Sequence, residues 1–559
     1  MLRRFFPSTR NVASIGPPIQ NQSTGASSVV PIGIVEEVPT EIWTHIVSFA
    51  EVSDVKSLGQ VSRFLRQMLY STSTWASLLR SVCKDNAIFL GSYPIDEMSL
   101  PALQRAALGP SLWKAMLEKH LSRRTSKKLS IGSTKLETRS SRRISIEADQ
   151  YFLVPGGRFL VTANLDLLAL WDLGFVGQSP KEEPKLICKI EYGSYFYISQ
   201  LAICALNDDA LQVAVATELR RPGSAVTVRL YHIRPASESP VFENAAKTWL
   251  EVSCGTAPKG GCRSISIRDS RIFVNLFREL SEFFVFWDIS TNRCIAMQSP
   301  TPSDGTGDPD INATFTGEYI ITFSSASIQV FRVSFDHPAA THADENLGLS
   351  LAAETHWSPW CPPETEVQFP FEAHTPHSAT FSIPSGWHHG THLPLVFDII
   401  TRNGHPSSAV NDALVSSSTF IRRFMLDVTS GSTCVASLEL LATSILQPPQ
   451  VYRPRVKAHG SYDLGFASTT MLLEHTKYQR QKIVIYSIIQ PSNLSEKQRA
   501  RWVLNESEQK AGVDALIGLT TMQTEDVNRS SFCSASGRCV YRIWDDKVTG
   551  AAFIDDYIY

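Results

Sequence analysis

The sequence has no long apolar run. Its best candidates, such as Ile483–Ile489, are strand-length, far short of the ~18–20 residues that span a bilayer as a helix. It has no excess of charge either: 52 Lys and Arg stand against 54 Asp and Glu, a net of −2. A chain whose whole surface grips nucleic acid or anionic lipid would sit far from that balance, so neither is expected as a partner. Its ten cysteines are scattered without a C-x-x-C pair or a signal peptide. They read as reduced, mostly buried thiols of an intracellular protein, cytoplasmic or nuclear. Catalytic signatures are missing as well. There is no G-x-S-x-G elbow, no Walker A loop, no H-E-x-x-H and no G-x-G-x-x-G opening a helix. No catalytic residue is assigned, and no cofactor or metal is expected. What is present is the composition of a globular chain, 43% hydrophobic and 19% charged over 559 residues, enough for several domains or one large repeat-built unit.

Residues 1–35 carry Arg3, Arg4 and Arg10 and no acidic residue before Glu36. That composition suits a mitochondrial presequence, but Pro7 and Gly16-Pro17-Pro18 interrupt any amphipathic helix, so the segment is read as a disordered tail. Residues 36–80 are helical in pattern. Thr40 can cap a helix with Ile42, Ile46 and Phe49 on one stripe and Trp43, Val47 and Ala50 beside it. Ser53 and Asp54 offer a second cap before Val55, Leu58, Val61, Leu65 and Met68, and Ser71–Thr74 reopen a helix carrying Trp75, Leu78 and Leu79. Three short helices are near the lower size limit for a core of their own. Part of their apolar surface must therefore meet a partner or the rest of the chain.

These residues carry a family resemblance. Val38-Pro39-Thr40-Glu41-Ile42, Asp54-Val55, Val61-Ser62-Arg63 and Trp75 resemble an F-box, whose pattern opens Leu-Pro-x-Glu-(Leu/Ile), continues through Asp-Leu and Val-(Cys/Ser)-(Arg/Lys), and closes on Trp. Val38 replaces Leu, Ser62 replaces Cys, and Thr74 replaces the Leu before the Trp. The resemblance implies docking to the Skp adaptor of an SCF-type (Skp–cullin–F-box) ubiquitin ligase. Val38, Pro39, Ile42, Ile46, Leu58, Val61, Leu65 and Trp75 would form the Skp-binding set, with a cullin reached through Skp.

Residues 81–122 read as a helical spacer. One helix is capped by Ser99 and stopped at Gly109, and a second starts from Ser111. Residues 123–143 read as a basic linker: from Lys119 to Arg143 there are nine cations and only Glu137 against them. Two Arg-Arg-x-Ser-like matches end at Ser126 and Ser145, where a basophilic kinase could act, and the same cations could serve nuclear import.

From 144 to 559 the texture is β. Short runs of Val, Ile, Phe and Tyr alternate with Gly, Ser, Asp and Asn. A turn, a strand, a turn and an aromatic-ended strand recur, with the aromatics at Trp171, Tyr231, Trp287, Phe331, Phe397, Tyr486 and Tyr541. The pattern resembles a divergent WD-repeat propeller, with Trp-Asp endings at 171 and 287 but no Gly-His signatures. The expected fold is thus a small all-α module and helical spacer followed by an all-β, propeller-like domain of about seven blades. Pro155-Gly156-Gly157-Arg158-Phe159 and Ser536-Gly537-Arg538 together with the F-box also resemble fungal F-box proteins. A His- and Pro-rich insertion around 337–394 includes His374, His377, His388, His389 and His392. Their spacing could hold zinc, but the context reads as a solvated loop.

The functional expectation is a non-catalytic substrate-receptor subunit that holds Skp through its F-box and an unknown protein substrate through its β domain. A Skp-binding scaffold acting without a cullin is the alternative, and a hydrolase built in a propeller is a third.

Overall fold

The computed structural model describes residues 38–122, 138–176, 183–219, 225–245, 250–253, 260–268, 270–278, 281–298, 312–324, 327–333, 341–342, 349–352, 357–358, 363–369, 379–382, 395–402, 419–429, 434–446, 452–463, 466–475, 481–489, 516–525, 527–533, 535–543 and 552–558. The N-terminal tail, Ser126 and the five histidines named above lie outside them.

Among the described residues five α-helices precede the strands: α1 Thr40–Ser48, α2 Val52–Val61, α3 Arg63–Met68, α4 Thr72–Asp85 and α5 Leu100–Ser122. Pro39 occupies the N-cap position of α1 with φ −53°, and its carbonyl accepts from the amides of Ile42 and Trp43. A fixed φ suits a residue that has no amide to satisfy at a helix start. Glu51 stands at the N-cap position of α2, so the expected caps Ser53 and Asp54 fall inside that helix. Ser62 does cap α3, its Oγ accepting from the Leu65 amide at 3.0 Å. In α4, Trp75, Leu78, Leu79, Val82 and Cys83 are buried, the three-and-four spacing of one inward face. The two spacer helices expected around Gly109–Ser111 are one helix, because α5 continues through Pro110. Gly109 and Pro110 are both buried there, and tertiary packing overrides the local tendency to break.

The rest is strand-rich, in seven sheets. Sheet I holds Gln150–Leu153, Phe159–Asn164, Leu167–Asp172 and Lys185–Glu191; sheet II holds Phe196–Ala205, Leu211–Leu219, Val226–Ile233 and Leu250–Ser253. Sheet III holds Gly260–Arg268, Arg271–Arg278, Ser281–Asp288 and Arg293–Gln298, and sheet IV Asn312–Thr316, Tyr319–Phe323, Ser327–Arg332 and Thr365–Gln368. Sheet V holds Ala379–Ser382, Leu395–Arg402, Thr419–Thr429 and Val435–Leu446; sheet VI holds Tyr452–Asp463, Phe466–His475, Gln481–Ile489 and Leu516–Glu525. Sheet VII takes Val527–Cys533, Arg538–Ile543 and Ala552–Asp556, and its fourth strand is Ser140–Ile144, antiparallel to Ala552–Asp556 from Ser140↔Asp556 to Ile144↔Ala552. The basic segment thus gives Arg142 and Arg143 to a strand.

All seven expected strand pairs fall within sheets, but not at one register. Trp171, Tyr231, Trp287, Phe331 and Tyr486 lie on third strands, whereas Phe397 and Tyr541 lie on second strands. The segment read as a loop insertion also contributes strands. Thr341–His342 and Trp357–Ser358 pair with Arg293–Gln298, Leu349–Ala352 pairs in parallel with Leu250–Ser253, and Thr365–Gln368 completes sheet IV. Backbone pairing at otherwise open sheet edges outweighs the Pro- and His-rich composition.

In five of the seven sheets an ion pair stands where the second strand begins and the third strand ends. Arg158–Asp172 (2.8 Å), Arg271–Asp288 (3.4 Å) and Arg538–Asp556 (2.6 Å) occupy this place in sheets I, III and VII. Arg234–Asp209 (3.5 Å) and Arg332–Glu318 (3.1 Å) occupy it with reversed polarity in sheets II and IV.

The helices are built into the sheets. Val47, Val55, Trp75, Leu79 and Leu103 share one hydrophobic cluster with Ile144, Ile146, Leu160, Val540 and Ile554. Phe89 enters the cluster between sheets I and II beside Phe159 and Val213, its amide donating to Pro155 O at 3.2 Å. Gly91 N reaches Asp208 O at 2.8 Å. Farther along α5, Trp113 packs on Phe532 with ring centroids 4.9 Å apart.

Candidate functional site

The helical module has two sides. Its inner side is fused to the turns between first and second strands of sheets I and II, through Pro155–Gly157 and Asp208. Its outer side leaves large apolar groups in solvent: Ile42 is 51% exposed, Phe49 79%, Val61 60% and Tyr70 68%. Four exposed side chains of that size on one small module exceed the scattered single residues usual on a surface.

The eight Skp-binding candidates divide accordingly. Pro39, Ile42 and Val61 are exposed, and Val38, Ile46 and Leu58 are half-buried. Leu65 and Trp75 are buried. The Trp75 Nε1 donates to Leu69 O at 2.8 Å, which satisfies the indole where water cannot reach it. Trp75 thereby ties α4 to the end of α3, and neither it nor the buried Leu65 is part of the open surface. Phe49 and Tyr70, which are not among the eight, are more exposed than Ile42 and Val61. Their signal was available: Phe49 shares the stripe of Ile42 and Ile46, and Tyr70 is a large aromatic just past a helix end.

At the joint between module and sheets lies a cavity of about 330 Å³ lined by Tyr93, Met98, Arg105, Phe175, Val176 and Ser536 among others. Phe175 is held there by the Arg158 guanidinium, 4.6 Å from its ring centroid. The Arg158 side chain is also fixed on Asp172 by three hydrogen bonds. These groups hold one another in structural contacts.

Among the described residues the titration behaviour marks no activated nucleophile. Burial pushes the Cys83, Cys294 and Cys539 thiols far above their ordinary range, and that of Cys188 up to about 12. A nucleophilic cysteine needs the opposite shift. Among the described residues no group of three or more His, Cys, Asp or Glu is arranged to hold a metal ion, and no helix is long and apolar enough to cross a membrane.

The F-box-like family matches residues 35–81, the segment whose exposed side has just been described. The chain therefore carries an F-box-like domain, the mark of Skp-binding adaptor subunits in general, which are typically non-catalytic. No curated protein matches the chain significantly. Among solved structures, a humanized mutant of the Chaetomium thermophilum Polycomb Repressive Complex 2 bound to the inhibitor GSK126 is similar at 10% identity and a TM-score of 0.38, over 75% of this chain and 97% of that one. An apo ctPRC2 in an autoinhibited state gives 11% and 0.37, over 76% and 98%. An active polycomb repressive complex 2 in the basal state gives 10% and 0.30, over 62% and 69%.

Proposed function

We propose that the chain is the substrate-receptor subunit of an SCF-type ubiquitin ligase in the cytoplasm or nucleus, holding Skp through α1–α3 and a protein substrate through its sheets. The observation that carries the reading is the apolar side of the F-box-like domain, left open on a module whose other side is already used by the fold. Skp would cover Pro39, Ile42, Phe49, Val61 and Tyr70. Ile46 and Leu58 would complete the contact from their half-buried positions.

The seven sheets support a seven-bladed propeller. They follow one another along the chain, and the last takes its fourth strand from the start of the β region, which would join the two ends. The helices' shared core with sheets I and VII would make receptor and adaptor mount a single body.

Affinity purification with the intact chain and with Ile42→Asp tests the reading. Deleting the F-box would not serve, since it would strip the core from sheets I and VII. Recovery of Skp and cullin with the intact chain, and of neither with Ile42→Asp, is the expected result. Skp without cullin would favour the scaffold reading, and neither from the intact chain would end both.

A further inference from the structure

At the end of the sheets opposite the helical module the chain makes a local sacrifice. Leu165 is the first of two residues joining the second and third strands of sheet I, and its φ is +38°. Tight hairpins place Gly at such a position, and a left-handed leucine costs about 1–2 kcal/mol. Its side chain is left 51% exposed, so it recovers only part of what burial would give. Most other positive-φ turn positions are glycine, as at Gly156, Gly193 and Gly537, the exceptions among the described residues being the small Ala87 and the polar Asn292.

A second apolar group stands beside it. The Leu165 carbonyl accepts from Ile198 N at 2.5 Å and the Asp166 carbonyl from Tyr192 N at 2.8 Å. The turn between sheets I and II, Gly193-Ser194-Tyr195, is thereby held against the hairpin, with Tyr195 72% exposed. Leu219 follows on, paired in register with Phe196 and partly exposed. The base is rigid: Tyr197 donates to the buried Glu218 at 2.5 Å, and Glu218 accepts from Cys262 N at 2.8 Å. An exposed aromatic and an exposed aliphatic group on two turns tied by backbone hydrogen bonds offer an anchor site of the kind that dominates interface energetics.

The charge around the anchor has a sign. Asp149 lies at this end of sheet I, its amide bonded to Ala163 O, with Glu147 two residues before it, Asp166 in the hairpin itself and Glu191 opposite Leu167. Against these four carboxylates stand Lys189, already paired to Glu191, and Arg542, mostly buried and shared by Glu147 and Asp149.

We infer that Leu165 and Tyr195 form the substrate anchor of this protein and that they take an extended segment with an apolar side chain flanked by a lysine or arginine. The inference rests on the receptor reading and names its substrate class. The apolar group seats between Leu165 and Tyr195, and the cation lies over Asp166 and Asp149. The site sits a strand's length, roughly 20 Å, from the helical module, so substrate and adaptor do not compete for surface.

Selection of random dodecapeptides displayed on phage against the full-length chain tests this. Peptides with a basic residue beside an aliphatic or aromatic one should be enriched. Synthetic versions should bind with an affinity that falls as salt rises. Leu165→Gly should weaken them by at least about tenfold without lowering thermal stability, since it relieves the backbone strain, and Tyr195→Ser should do the same. Neither change should alter Skp capture, which keeps this test separate from that of the receptor reading. Absence of enrichment, enrichment of acidic peptides, or full binding by Leu165→Gly would each overturn the inference.

Discussion

Arg538 and Asp556 form a buried, two-pronged ion pair, Nε to Oδ1 at 2.6 Å and Nη2 to Oδ2 at 3.0 Å. The remaining nitrogen of Arg538 donates to Gly157 O at 2.7 Å and Gly174 O at 2.8 Å. One side chain therefore ties the second and third strands of sheet VII to two turns of sheet I. Arg538→Met would leave two carbonyls without a side-chain donor and the buried Asp556 carboxylate with only the Ser140 hydroxyl at 3.3 Å, at a cost of about 3–5 kcal/mol. Urea unfolding followed by far-UV circular dichroism measures it. A loss under about 1 kcal/mol would mean that packing and the other bonds between sheets I and VII, such as Leu153 N to Ser531 Oγ at 2.8 Å, hold them without Arg538.

Exposed and buried F-box residues should fail differently. Ile42→Asp should abolish Skp binding with helicity and melting unchanged, since a carboxylate at an exposed site costs the free chain little but would have to be desolvated in the contact. Trp75→Ala should lose the packing of α3 on α4, at about 3–5 kcal/mol, and lose Skp only together with helical signal. Circular dichroism alongside Skp capture separates the two. An Ile42→Asp chain that is folded and still captures Skp would remove the F-box face from the docking model.

Phe89 should be the bolt of the joint. Its ring is buried between sheets I and II, and Phe89→Ala should cost about 3–5 kcal/mol while freeing the helical module from the sheets. Limited proteolysis should then cut between α4 and α5 in the variant and not in the parent. An unchanged cleavage pattern would show that the shared cluster around Trp75 and Ile144 suffices.

Asp555 gives the seam between the first and last strands a pH dependence. Burial raises its pKa above the ordinary aspartate range, against the lowering effect of hydrogen bonds from Ser141, Tyr541 and Tyr557, while Asp556 pushes it further up. The folded protein thus favours the protonated form. That contribution to stability is complete below the unfolded value of about 3.9 and is lost as pH rises through the folded one. Melting temperatures taken from about pH 4 upward should fall more for the parent than for Asp555→Asn. Parallel curves would place the titration elsewhere.

Much of this was legible in the sequence, and the failures have physical causes. Pro39, Ile42 and Trp75 announce the module because helix starts and apolar stripes are local. The seven strand pairs are legible because a strand alternates and a turn needs Gly or Asp. The shift of register at Phe397 and Tyr541 is not, since an aromatic suits a second strand as well as a third. The repeated ion pair also escaped notice. Its sign reverses between Arg271–Asp288 and Arg332–Glu318, so it shows only when charge of either sign is sought at fixed offsets. Ser145 matched a kinase motif, yet Arg142 and Arg143 are strand residues paired with Ile554 and Phe553, and Ile144 and Ile146 are buried. A kinase that reads that motif as an extended peptide would first have to peel the strand away. Leu165 drew no attention because strain is a property of φ, not of residue type.

The pairing of Ser140–Ile144 with Ala552–Asp556 also sets a clock. The two strands are separated by roughly 400 residues, which at ~5–20 residues per second takes a ribosome some 20–80 s to add. Throughout that interval the early strand has no partner, and the helices resting on it have only part of their core. Its Ser-Ser-Arg-Arg sequence is suited to waiting: polar and cationic side chains discourage another strand edge from pairing with it in the meantime.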